Sequence, residues 1–121
     1  IGESIAQRNS GSGPVILREQ LLTALEGVSL PQLIVAYEPV WAIGTGHAAV
    51  PDDVIEVREL INDVIKTCAP TAKVSILYGG SVDATNVASF VRVSGMNGVL
   101  VGSSSLTAHE VRAMCEALVS R

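Results

Sequence analysis

Apolar residues recur along this chain in two rhythms that take turns. From Pro14 to about Glu26, Leu17, Leu21, Leu22 and Leu25 repeat at helical spacing, with Pro14 in the first turn and Gly27 as the stop. Leu33 to Glu38 is then a continuous apolar run, the pattern of a parallel strand covered on both faces. Pro51-Asp52-Asp53 opens a second helix, its acids complementing the positive helix N-terminus, and Val54, Val57, Ile61, Val64 and Ile65 form its stripe until Pro70 ends it. Val74 to Tyr78 predicts a second strand, and Asp83 is placed to cap a short helix running to about Val91. Val99 to Val101 predicts a third strand. Thr107 and Glu110 form a capping-box pair for the last helix, whose buried side is expected to hold Val111, Met114 or Cys115, and Leu118. Residues 1–13 read as a strand end followed by a loop rich in Ser and Gly. Strands and helices alternating at this spacing predict a parallel α/β sheet in a single domain over residues 1–121. No linker, low-complexity stretch or second domain interrupts it.

Composition narrows the class. Hydrophobic residues make up 48% and charged residues 17%, which fits a well-buried globular protein and excludes a disordered or fibrous one. A net charge of −4 without a basic cluster argues against a nucleic-acid partner. No apolar run reaches membrane-crossing length and no signal peptide is visible. Cys68 and Cys115 lie far apart without metal-type spacing, which predicts two free thiols in a reducing, cytoplasmic setting and no metal site.

The chemistry gathers at the ends of the strands. Glu38 closes the first apolar run, Pro39 turns the chain out of the sheet, and Gly44 and Gly46 give the following loop exposed backbone amides. A lone strand-end Glu is most often a solvated surface residue. Here the rigid strand end and the glycine-bearing loop suit a base beside an anion site. Gly79-Gly80-Ser81 and Gly102-Ser103-Ser104-Ser105 follow the next two strands. Alone, each is an ordinary turn. At consecutive strand ends their N–H groups can bind a dianion without Lys or Arg.

The run Ala36-Tyr-Glu-Pro-Val-Trp-Ala-Ile-Gly-Thr-Gly46 resembles the signature of the triosephosphate isomerase family. Leu77-Tyr78-Gly79-Gly80-Ser81-Val82, Gly98-Val99-Leu100-Val101-Gly102 with Ser105-Leu106, and Ile1-Gly2-Glu3 with Arg8 and Gly11 agree with it in order. The resemblance implies the C-terminal half of a (β/α)8 barrel, from the end of strand 5 through helix 8. A whole barrel takes about 250 residues, so 121 supply about half. It further implies that Glu38 is the catalytic base, and that Gly44, Ser81, Gly102 and Ser103 hold the substrate phosphate. Ile43 and Leu100 would cover the carboxylate, and Gly46 belongs to the lid. Trp41 would anchor the lid hinge, with Glu3 as its partner in the open form, while Tyr78 and Ser81 latch the closed form. Tyr37 and Trp41 equally suit plain core packing.

Several positions depart from the family. Ser103 stands where a Gly is usual and adds strain if that position needs positive φ. His47 and Ala48 alter the end of the lid. Val50 replaces a capping residue, and Asn62 and Asn97 replace an Arg–Asp pair, leaving at most a neutral hydrogen bond.

The family's Lys and electrophilic His, from strands 1 and 4, have no counterpart here. Lys66 lies late in a helix, Lys73 at the opposite end of a strand, His47 in the lid and His109 in the last helix. The expected function is therefore a triosephosphate isomerase fragment that is inactive alone and needs no cofactor. Its substrate would be a triose phosphate, and the complete enzyme would be a homodimer whose contact loop lies upstream. Alternatives are a non-catalytic phosphate-binding half-barrel and another sugar-phosphate isomerase barrel. The Glu38 context argues against the latter.

Overall fold

A computed structural model describes residues 1–93 and 95–119. Three strands, β1 (Gln32–Tyr37), β2 (Lys73–Gly80) and β3 (Gly98–Val101), form a parallel sheet in that order. Helices α1 (Ile5–Asn9), α2 (Gly13–Leu25), α3 (Pro51–Cys68), α4 (Val87–Arg92) and α5 (Ala108–Val119) connect and flank them. Two 3-10 turns, Val40–Ala42 and Ser103–Leu106, follow β1 and β3. Registers Tyr37↔Tyr78 and Tyr78↔Val99 align the three C-terminal strand ends.

The helices cover one sheet face. Val35, Tyr37, Ile76 and Tyr78 from that face join Leu17 and Leu21 of α2, the whole predicted stripe of α3, and Val87 and Phe90 of α4 in one core. Tyr78 stacks on Phe90 with ring centroids 4.0 Å apart and tilts against Tyr37 at 6.2 Å. The opposite face is open, contrary to the two-sided cover that the apolar run predicts. Ile34 is 68% exposed and Leu100 39%. A run of consecutive apolar residues says that both faces are apolar, and only packing decides whether both are covered.

The first three residues behave as a neighbouring strand end. The Ile1 amine donates to the Ala36 carbonyl at 2.8 Å, the Glu38 amide to Ile1 at 2.8 Å and the Val40 amide to Glu3 at 3.0 Å. These alternating bonds lay residues 1–3 parallel to the exit of β1, on the edge away from β2.

Three further expectations change. The loop expected up to residue 13 contains α1, started by a full capping box in which Ser4 accepts from the Gln7 amide and Gln7 accepts from the Ser4 amide. Asp83 does not cap α4, which begins at Val87 behind Asn86; its carboxylate instead accepts from the Thr85 amide and hydroxyl. In α5 only Met114 is buried, while Val111, Cys115 and Leu118 are exposed. That helix rests on α4 and the second 3-10 turn beside an edge strand, so most of its stripe has nothing to meet. Thr107 does accept from the Glu110 amide, at 3.4 Å. Val50 leaves α3 without a side-chain cap. Asn97 and Asn62 form no hydrogen bond with each other; the Asn97 carboxamide oxygen accepts from the Ile76 amide at 2.7 Å.

Candidate active site

Glu38 directly follows β1 and continues its register, which sets it opposite Gly79, itself paired with Leu100. Partners in a parallel ladder point to the same side, so Glu38, the bare backbone of Gly79 and Leu100 line up across the open face. Pro39, buried, then turns the chain into the 3-10 turn and the segment ending at Ala49.

That segment lies folded over the strand ends. The Gly46 amide donates to Ser81 Oγ at 3.0 Å, and Ser81 Oγ in turn donates to the Ala42 carbonyl at 2.9 Å. The Ala49 amide donates to the Tyr78 hydroxyl at 2.9 Å. Burial raises the Tyr78 phenol above its ordinary pKa, so it remains a neutral hydroxyl in this contact. Thr45 Oγ1 donates to the Trp41 carbonyl at 3.0 Å and orders the segment internally. Gly44 and Gly46 adopt φ of +66° and +76°, values that side-chain-bearing residues rarely reach.

At the start of this segment, Trp41 Nε1 donates to Glu3 Oε1 at 3.3 Å. The same oxygen accepts from Tyr37 at 3.0 Å and from Arg8 at 3.1 Å. Tyr37 is held well above the usual phenol range by burial and then by the Glu3 carboxylate. Arg8 also pairs with Asp53 of α3 and lies over the Trp41 ring at 5.3 Å. Glu3 is fully buried. The resemblance assigns the Trp41–Glu3 bond to the open lid and the Ser81 and Tyr78 bonds to the closed one. Here all of them occur together. The tie from Arg8 to Asp53 and the role of Tyr37 were not read from the sequence; they join residues 45 and 34 apart, with no local pattern to mark them.

One cavity of about 420 Å³ collects most of the candidates: Glu38, Ile43, Gly44, Gly46, Ser81, Leu100, Gly102 and Ser103. Glu3, Trp41 and Tyr78 stand outside it and support the folded segment. Ser103 and Ser104 open a 3-10 turn whose first N–H groups have no partner within the turn. Ser103 does not adopt positive φ, so the strain expected there is absent. Ile43 and Leu100 do not bury the carboxylate, and Glu38 is exposed although the segment is latched. The sheet face beneath it is open. Asp83 also lines the cavity. The Thr85 hydroxyl, 2.6 Å away, holds the Asp83 carboxyl below its usual pKa, which places a lasting negative charge on the wall. Among the described residues no cluster of His, Cys, Asp or Glu could hold a metal, and no helix is long and apolar enough to cross a membrane.

The arrangement places a strand-end carboxylate in one cavity with the backbone of Gly44, Gly46, Gly102 and Ser103, beside a latched segment. Comparison with known proteins agrees with the motifs. Residues 1–118 match the family described as triosephosphate isomerase. The chain is 38% identical over 120 residues to the triosephosphate isomerase of Azoarcus sp. (strain BH72), covering 97% of this chain and 50% of that protein. It is 43% identical over 119 residues to that of Bradyrhizobium diazoefficiens, covering 96% and 47% respectively. With that of Aquifex aeolicus it shares 41% over 110 residues, covering 88% and 44%. The chain thus spans about half the length of the curated relatives it matches.

Proposed function

Because the chain belongs to the triosephosphate isomerase family, we propose that it forms the second half of an eight-stranded barrel and supplies the base, lid and phosphate cradle of a triosephosphate isomerase. The carrying observation is the single cavity in which Glu38 meets the lid glycines and the Ser81, Gly102 and Ser103 backbone. In this reading Glu38 removes the proton alpha to the substrate carbonyl, leaving an enediolate, and returns it to the neighbouring carbon. The amides of Gly44, Ser81, Gly102 and Ser103 hold the phosphate dianion. The lid excludes water, and Ile43 and Leu100 close over the carboxylate once strands from the other half cover the open face. No organic or metal cofactor enters these steps. The electrophile comes from strands outside this chain, as does the loop for dimer contact in the complete cytoplasmic enzyme.

The test is complementation. The purified chain alone is expected to show no isomerisation of glyceraldehyde 3-phosphate above background, whereas a mixture with a matching N-terminal half should turn over. Robust turnover by the chain alone would require an electrophile that these residues do not supply. A folded but inactive mixture would favour the non-catalytic phosphate-binding alternative.

Two substitutions probe the cradle in the assembled barrel. Gly44→Pro deletes an amide donor and cannot adopt the φ of +66° found there. It is expected to weaken phosphate-bearing inhibitors at least tenfold, and equal inhibition constants would remove Gly44 from the cradle. Asp83→Asn takes a negative charge from the cavity wall. Phosphate binding should tighten by about two- to fivefold at low salt, and the gain should shrink as screening increases. A titration with inorganic phosphate at two ionic strengths reads both effects.

A further inference from the structure

The folded segment from Pro39 to Ala49 is fastened at both ends by one side chain. Trp41 lies in the 3-10 turn that opens the segment, and Asp53 lies in the first turn of α3, just past its end. Arg8, on α1 behind the Ser4 capping box, reaches both. Its Nη1 donates to Glu3 Oε1 at 3.1 Å, the oxygen that also accepts from the Trp41 indole. Its guanidinium carbon stands 5.3 Å from the centre of the Trp41 ring, and its Nη2 pairs with Asp53. The Arg8 and Asp53 side chains are only 26% and 27% exposed, so the pair is partly shielded from solvent.

Gly44 and Gly46 leave the middle of the segment conformationally free, so its path depends on where its ends are held. The latches from the Gly46 amide to Ser81 and from the Ala49 amide to Tyr78 form only if those ends are in register with β2. A planar guanidinium can meet two carboxylates and a ring face at once, which the single ammonium of a lysine cannot. We propose that Arg8 is a positioning residue for the lid. By tying Trp41 to the start of α3 it sets the separation of the two ends, and so holds Gly46 and Ala49 within reach of Ser81 and Tyr78. That the segment closes over a bound phosphate rests on the isomerase reading, whereas the tie stands on contacts within this chain.

Amide hydrogen exchange on the full chain reads the tie directly. The Ala49 amide, bonded to Tyr78, reports the lid, and the Ile76 amide of β2, bonded to Asn97, reports the rest of the fold. Asp53→Asn is expected to speed Ala49 exchange about threefold and Arg8→Lys about tenfold, with Ile76 unchanged in both. The double variant should fall short of the product of the single effects, because both remove the same tie. Asp52→Asn removes an exposed charge from the same helical turn without touching Arg8, and Ala49 should keep its parental rate. Should Arg8→Lys fail to fold, Asp53→Asn decides alone, because Glu3 keeps its three donors there. In the assembled barrel both variants should weaken inorganic phosphate by similar factors. Faster Ala49 exchange with unchanged phosphate affinity would uphold the tie and count against a phosphate lid. An Ala49 rate that stays parental in the variants, or rises only in step with Ile76, overturns the proposal.

Discussion

Glu38→Gln in the assembled barrel is expected to lower kcat by at least the 10²–10⁴-fold typical of a lost general base, about 3–5 kcal/mol of transition-state stabilisation. The amide keeps the shape of the carboxylate but cannot accept the substrate proton. Phosphate-bearing inhibitors should bind nearly as before, because the donors proposed to hold the phosphate are backbone groups on other segments, as at Gly44, Gly102 and Ser103. Folding should be little affected, since Glu38 is exposed and its backbone amide, bonded to Ile1, is untouched. Steady-state kinetics and an inhibitor titration on the same preparation separate these effects. Near-parental turnover would exclude Glu38 as the base.

Gly79→Ala is expected to produce the second largest loss while leaving the fold in place. A methyl group at Gly79 would stand 2.7 Å from Glu38 Cγ and 2.9 Å from its Oε1. The atoms in the way all belong to the Glu38 side chain, from Cγ outward, so the sheet can keep its pairing if that side chain changes rotamer and carries the carboxylate with it. Misplacement of a reacting group by about 1 Å costs on the order of 10²-fold in rate. The β2 backbone requires no left-handed conformation at this position, so Ala itself is tolerated. The expected result is a kcat down about a hundredfold with an unchanged circular dichroism spectrum and thermal midpoint. Parental kcat would mean that the carboxylate position seen against Gly79 is not the productive one.

Much of this protein is legible without a structure. The α3 stripe, the Pro at the starts of α2 and α3, Gly27 as a stop and the order of strands and helices all follow from local spacing, because helix and strand periodicities are properties of neighbouring residues. The family motifs likewise mark Glu38, the lid glycines and the two strand-end turns, since glycine and proline patterns report backbone requirements directly. Local signals also carried more than was taken from them: Ser4 and Gln7 spell out the capping box that starts α1.

The rest was decided by contacts between distant segments. Whether the apolar run of β1 is covered on one face or two depends on what packs against it, and Ile34 stands exposed for that reason. The α5 stripe is exposed on the same grounds. Asp83 had the right chemistry for a cap, yet its carboxylate was claimed by Thr85 and it came to line the cavity. The gathering of Arg8, Tyr37 and Trp41 on one oxygen of Glu3 joins residues up to 38 positions apart. Local propensity cannot choose among such partners. Burial can, because a carboxylate removed from water has to find its donors wherever the fold brings them.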